Sequence, residues 1–147
     1  MSPWICGVLQ VFYTDLDYEQ TADQPSEHGL QTADILASSA LPPEVITAIK
    51  AHNAEALGLE RKSSFDFALT CAESITGLVI ATALVYPDKR LASVKSKSIL
   101  KRMKKKDFAR RVNRDQIRLC ERIGIPLADF AELSLRAMQG ISEELGL

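Results

Sequence analysis

The amino-acid sequence predicts an all-α protein, and three observations lead to that prediction. Apolar residues recur at helical spacing in the longer segments, helix start and stop residues separate those segments, and no stretch shows the alternation typical of a strand. No internal repeat or low-complexity tract is present. With 147 residues, of which 46% are hydrophobic, the chain is long enough to bury a core. We therefore expect one helical domain spanning residues 1–147.

In the first part of the chain, the predicted helices lie at residues 3–13, 28–40, 44–52 and 65–85. The first is apolar along its length and should be buried, and a polar loop with Pro25 follows it. Pro43 marks the start of the third helix, since proline is tolerated in the first turn of a helix but not in its interior. Ser63 or Ser64 should cap the long fourth helix, and Pro87 should end it.

In the second part, the sequence predicts a basic segment at 93–106 and a helix that begins near Asp107 or Asn113 and ends at Ile123. The turn Gly124-Ile125-Pro126 follows it. A last amphipathic helix should cover residues 127–145, with Gly146 just beyond its end, where glycine is favoured.

Charge is divided unevenly along the chain, although the net charge is only −1. Residues 1–73 carry 11 acidic and 3 basic side chains, whereas residues 74–147 carry 8 acidic and 15 basic ones. Carboxylates gathered in the half that also holds both histidines favour a cation site. The basic stretch at 95–114 could attract phosphates, or it could simply be a solvated helix face.

Cysteine usage and hydrophobic patterning favour a cytoplasmic protein. The odd number and uneven spacing of Cys6, Cys71 and Cys120, all in apolar contexts, are typical of reduced core thiols. The apolar N-terminal stretch lacks a basic region and a cleavage site, and we identify no apolar run of about 18 residues. We therefore expect neither secretion nor membrane insertion.

Four residues form a candidate metal site: Asp15, His28, His52 and Glu73. Imidazole and carboxylate are the usual ligands of divalent metals in hydrolytic enzymes, and the chain has only these two histidines. Glu73 lies in the middle of an apolar helix, where a carboxylate is costly to bury without a partner. Local roles are the alternative, with Asp15 in a turn and both histidines at helix ends.

Several motifs carry a resemblance to a known family, and they are Asp15-Leu16-Asp17-Tyr18-Glu19, Glu27-His28-Gly29, Ala48-Ile49-Lys50-Ala51-His52, Ala72-Glu73-Ser74-Ile75-Thr76-Gly77-Leu78, Lys97-Ser98, Lys104-Lys105 and Phe108-Ala109. Over residues 15–147 the chain resembles the HD-domain superfamily of metal-dependent phosphohydrolases, in its small predicted-hydrolase branch. The resemblance implies an HD-domain-like helical bundle and a divalent metal ion, Mn, Mg, Fe or Zn. It also implies a phosphomonoester or nucleotide substrate.

The resemblance assigns roles to individual residues. Asp15 would be the catalytic residue that bridges metals or orients the attacking water, and His28, His52 and Glu73 would complete the ligand set. Independently of the resemblance, Arg61 and Lys62 lie in the loop after His52, where they could meet a substrate phosphate, although surface charges explain them equally well. Thr14 stands where the family has the histidine of its His-Asp pair, and the upstream histidine ligand has no counterpart. We therefore expect weakened activity.

Two further expectations concern partners. The alternative function is a non-catalytic helical module that binds nucleic acid or another acidic partner through residues 95–114. This alternative is not favoured over the hydrolase. We also expect a homo-oligomer, because the 3–13 segment offers more apolar surface than one short helix usually buries. The candidate contact residues are Trp4, Ile5, Val8, Leu9 and Phe12.

Overall fold

The computed structural model describes residues 13–147. This part of the chain contains nine α-helices and two 3₁₀ helices, joined by turns and loops, and no strand. This confirms the all-α prediction. The α-helices are α1 Tyr18–Thr21, α2 Leu30–Leu36, α3 Pro43–His52, α4 Ala54–Leu57, α5 Ser64–Leu84, α6 Ser96–Met103, α7 Arg114–Ile117, α8 Leu127–Gln139 and α9 Ser142–Leu145. The 3₁₀ helices are Leu91–Ser93 and Arg118–Ile123. The predicted helix at 3–13, the oligomer contacts on it and Cys6 lie outside the described residues.

Two predicted helices are shorter than expected. The helix predicted from His28 begins at Leu30, because Gly29 has a left-handed backbone with φ 88° and cannot continue a helix. The helix predicted over 127–145 is interrupted after Gln139, where Ile141 leaves the helical region with φ −124° and ψ 22°. Glycine at position 140 is a weak helix former, which is consistent with a break at this point.

The chain divides into two compact units, Met1–Glu73 and Ser74–Leu147. In the first unit, α2 packs against α3, and a buried apolar cluster joins α3 to the start of α5. That cluster consists of Val45, Ala48, Ile49 and Leu69, with Leu36, Leu41 and Phe65 packed around it. Its burial holds the C-terminal end of α3, which carries His52, in a fixed position.

In the second unit, α8 contacts α6 and both 3₁₀ helices. The fully buried residues there include Leu78, Leu91, Ile99, Ile117 and Ala131. A Cβ added at Gly77 would lie 3.2 Å from Cγ2 of Val112, so the glycine allows a close approach. Cys71 and Cys120, in the first and second units respectively, are buried free thiols.

Helix α5 begins with a reciprocal cap. The Asp66 N–H donates to Oγ of Ser63 at 3.0 Å, and the Ser63 N–H donates to Oδ2 of Asp66 at 2.9 Å, which satisfies two amides at the helix start. This 21-residue helix is long and apolar enough to cross a membrane. Half of its most apolar stretch is buried within the protein, and core helices of soluble proteins meet the same criterion.

Candidate metal centre

Asp15, His28 and His52 bring a carboxylate oxygen and two imidazole nitrogens together in the first unit, all within 4.8 Å of one another. Nε2 of His28 lies 3.1 Å from Nε2 of His52 and 3.3 Å from Oδ1 of Asp15. The two rings meet edge to face, with centroids 4.9 Å apart. Residues that are 37 positions apart in sequence thus present their donor atoms to one point, and the group could hold a metal ion.

The carboxylate of Asp17 orients the His28 ring from the opposite side. Oδ1 of Asp17 lies 2.8 Å from Nδ1 of His28, and its Oδ2 accepts the backbone N–H groups of Gly29 at 2.8 Å and Thr32 at 2.9 Å. Burial raises the pKa of Asp17, but the two amides and His28 outweigh this effect and hold the pKa below its ordinary value. An ionised carboxylate can only accept, so Nδ1 of His28 carries the proton and donates it.

A second acceptor orients His52. Nδ1 of His52 donates to the carbonyl of Ile49 one turn earlier in α3, and the side chain is buried. Burial is the main reason that the pKa of His52 is lowered, so this imidazole is neutral at physiological pH. A neutral ring that carries its proton on Nδ1 has a lone pair on Nε2, and this lone pair points towards His28.

The two imidazoles therefore face each other through nitrogens that both bear lone pairs when the rings are neutral. At 3.1 Å such an arrangement is repulsive unless a proton or a cation lies between the nitrogens. The hydrogen bond to Asp15 is the largest cause of a raised pKa at His28, burial opposes it, and Asp17 adds to it. Without a metal, a proton on His28 relieves the repulsion, so protons and metal ions compete for this site.

Backbone geometry brings the two histidines together. Gly29 lets the chain turn directly after His28, and a Cβ at this position would lie 3.3 Å from both Cε1 of His52 and the Ile49 carbonyl. Nδ2 of Asn53 donates to the carbonyl of Pro25 at 2.7 Å and to that of His28 at 3.0 Å. These bonds tie the residue after His52 to the loop that carries His28.

Arg61 forms hydrogen bonds at the C-terminal end of α3, where His52 lies. Its Nη2 donates to the His52 carbonyl at 3.0 Å, its Nε donates to Oγ1 of Thr70 at 2.9 Å, and its Nη atoms form a bidentate pair with Glu55 at 2.7 and 2.8 Å. These donors are thus occupied by protein groups, whereas the Lys62 side chain is exposed. Arg61 positions the end of the helix that carries a ligand.

The fourth residue of the predicted site is Glu73, and the substituted position is Thr14. Glu73, half-buried in α5, is not a member of the three-residue group. Thr14, which occupies the position of the family histidine, is fully buried next to Asp15. The metal-ligand role of Glu73 stays a prediction.

The supporting roles of Asp17, Thr32, Asn53 and Gly29 were not predicted from the sequence. Asp17 lies within the motif Asp15-Leu16-Asp17-Tyr18-Glu19, but nothing in its immediate sequence shows that its buried carboxylate accepts the amides of Gly29 and Thr32 at the start of α2. Gly29 directly after a histidine was the available signal, because glycine at a helix start often marks a left-handed turn.

Comparisons of the chain with models of known protein families, with curated proteins and with solved structures return no match. The HD-domain interpretation stays a prediction.

Proposed function

We propose that this protein is a metal-dependent hydrolase of phosphate esters, with a divalent ion held by Asp15, His28 and His52. The observation that carries the proposal is the close approach of the two Nε2 atoms, while a hydrogen bond at Nδ1 orients each ring. Imidazole ligands of metals usually donate their other N–H to a carboxylate or a backbone carbonyl, and this site has one of each.

The separations of the donor atoms support a shared ion. Ligand atoms at about 2.0–2.2 Å from one metal lie about 3–3.5 Å apart in tetrahedral or octahedral geometry. The separations of 3.1 Å between the nitrogens and 3.3 Å between His28 and Asp15 fall within that range. Two of the three donor separations therefore match a shared ion, and all three donor atoms lie within 4.8 Å of one another.

The composition and exposure of the ligand set favour a catalytic ion over a structural one. Two histidines and a carboxylate leave coordination positions for water and substrate, whereas structural zinc sites have four protein ligands. The Asp15 side chain is 52% exposed and that of His28 is 16% exposed, so the open side faces solvent at Asp15. The two imidazoles favour Zn or Fe over Mg, which prefers oxygen ligands.

The proposed chemistry follows from these positions. Asp15, His28 and His52 would hold the divalent ion, which would supply Lewis-acid chemistry by lowering the pKa of a bound water and polarising a phosphoryl oxygen. Asp15, at the exposed edge, would orient that water and accept its proton, while Asp17 and the Ile49 carbonyl keep both histidines in the tautomer that can bind a metal. Phosphomonoesters and nucleotides are the substrates that the HD-domain resemblance implies.

Metal binding is the first test. Calorimetric titration of the metal-free protein with Zn²⁺ or Mn²⁺ should give one ion per chain, and Asp15→Asn should weaken binding by about tenfold or more because it removes the charged ligand. Asp34→Asn is the matched control, since it removes an exposed carboxylate of α2 outside the group. Equal affinities of the two variants would contradict the ligand assignment, and Glu73→Gln in the same assay tests the fourth predicted ligand.

Hydrolysis is the second test. With Mn²⁺ or Zn²⁺ present, the protein should turn over p-nitrophenyl phosphate or nucleoside monophosphates weakly, because Thr14 supplies no imidazole. Asp15→Asn should abolish this turnover and Asp34→Asn should not. Metal binding without any turnover of these substrates would leave the metal centre standing and refute the hydrolase.

A further inference from the structure

The second unit carries a strongly basic surface formed by α6 and the loop that follows it. Between residues 95 and 114 there are ten lysines and arginines and a single carboxylate, Asp107. Eight of the cationic side chains are exposed, namely Lys95, Lys97, Lys101, Lys104, Lys105, Lys106, Arg110 and Arg111. Within residues 13–147 none of these eight forms an ion pair. We call these eight residues the basic surface.

This arrangement differs from an ordinary solvated helix face and carries an electrostatic cost. Solvent-facing helices usually place opposite charges three or four residues apart, whereas Lys97, Lys101 and Lys104 place like charges at those spacings. Lys95 and Lys97 also lie at the N-terminal end of α6, where the helix dipole disfavours cations and where the first turn has no acidic residue. A bound polyanion would reverse both effects.

A partly buried arginine, Arg114, holds the loop of the basic surface in place. The guanidinium of Arg114 donates to the carbonyls of Ala109 and Val112 at 2.7 Å, to that of Lys105 at 3.3 Å, and to that of Phe108. Ala109 has a left-handed backbone with φ 46°, which an alanine adopts only when its surroundings require it. The loop therefore presents its cations from an ordered backbone.

The shape of α6 favours a hydrophilic polyanion over a membrane. Two of its three large apolar residues, Ile99 and Met103, are buried in the protein and Leu100 is only partly exposed, so the helix lacks the broad apolar face that inserts between lipids. Its outer side is a shallow groove lined by Lys97, Leu100, Lys101 and Lys104. The guanidinium of Arg102 lies 5.1 Å from the ring centroid of Phe108 and adds further positive charge beside the groove.

We propose that the basic surface binds the phosphate backbone of nucleic acid without regard to base sequence. The three lysines of the groove span about 10 Å of helix at 1.5 Å per residue, which is about the axial length of three base-pair steps of a duplex at 3.4 Å each. Lysine contacts phosphate as a point charge and reads no base, which suits backbone binding. This function concerns the second unit alone and does not depend on the metal centre.

Fluorescence anisotropy with a labelled DNA duplex of about 20 base pairs and a single-stranded RNA of similar length tests the proposal. The logarithm of the association constant should fall linearly with the logarithm of the salt concentration between about 50 and 200 mM. The triple variant Lys97→Gln, Lys101→Gln, Lys104→Gln should reduce the slope for duplex DNA by about 2.7, and affinity near 0.1 M salt should fall on the order of 100-fold. Glutamine has a helix propensity close to that of lysine, so α6 should stay intact.

The matched control removes the same amount of charge elsewhere, with Lys50→Gln, Lys89→Gln and Arg136→Gln in one chain. Its slope should stay within about one unit of the wild type. Equal losses in the two variants would show a non-local charge effect and overturn the proposal, as would absence of binding to both probes by the wild-type protein. Binding of the wild type to phosphatidylserine vesicles but to neither oligonucleotide would also overturn it. Thermal melting by circular dichroism confirms that each variant is folded.

Discussion

Replacing Asp17 by asparagine should change which nitrogen of His28 carries the proton, and it should weaken metal binding without removing a ligand. One oxygen of Asp17 accepts both amides of Gly29 and Thr32, so the asparagine carbonyl should take that position and keep both bonds. The asparagine NH₂ group then faces Nδ1 of His28 at about 2.8 Å. Two donors cannot pair, and the imidazole proton has to move to Nε2.

The magnitude follows from this change. A proton on Nε2 blocks the lone pair that would bind the metal, and loss of such supporting partners typically costs 10- to 100-fold in metal affinity, about 1.4–2.7 kcal/mol. The free energy of unfolding should fall by about 1–2 kcal/mol, because the retained hydrogen bonds lose their charge. Asp17 has a lowered pKa, so its stabilisation is present above the pKa of an unfolded aspartate and is lost as pH falls through the folded value. The stability difference between wild type and variant should shrink below about pH 4.

Competition titration with Zn²⁺ measures the affinity, and ¹⁵N NMR of the histidine rings reports the tautomer directly. Asp34→Asn is again the control for charge. An affinity of the Asp17→Asn variant for Zn²⁺ within about twofold of the wild type would contradict this prediction. A His28 ring that still carries its proton on Nδ1 would contradict it as well.

Three further predictions concern the same unit. Because the pKa of His28 is raised, its stabilisation of the metal-free protein is fully present below the ordinary histidine pKa and is lost as pH rises through the folded pKa. Metal binding near neutral pH should therefore release a proton from His28. Calorimetry in buffers of different ionisation enthalpy measures that release. Gly29→Ala should lower the free energy of unfolding by about 1–2 kcal/mol through its positive φ and should weaken metal binding by displacing His52, whereas an unchanged denaturation midpoint would contradict the strain. Arg61→Ala should lower the free energy of unfolding, measured by urea denaturation, by about 2–3 kcal/mol, because the His52 carbonyl loses a partner and Glu55 loses its bidentate pair. A decrease below about 0.5 kcal/mol would show that water replaces these bonds.

Local signals account for the parts of the fold that were predicted well. Pro43 and the Ser63 cap each act within one helical turn, and the helices they start begin where expected or within one residue of it. The interruption after Gln139 was not predicted, because a glycine inside an amphipathic pattern is compatible with either a continuous or a broken helix. Packing against α6 and the 3₁₀ helices, which the sequence pattern does not report, involves α8.

The candidate site shows the same division. Asp15, His28 and His52 could be selected from residue type and resemblance, since imidazoles are rare in this chain and chemically distinctive. The role of Asp17 could not, because it depends on amides 12 and 15 residues away that reach it only after α2 has formed. Residue type identifies candidate ligands, whereas tertiary hydrogen bonds determine which nitrogen each ligand presents.

The ligands and their supports come from one continuous stretch, Asp15 to Thr70, and most of their contacts join residues 11 to 28 positions apart. Contacts of such short range close small loops, so their entropic cost is low and they form early in folding. During synthesis this stretch leaves the ribosome before residues 74–147 are complete. An ion held by the proposed site would then stabilise the first unit while the basic half of the chain is still being made.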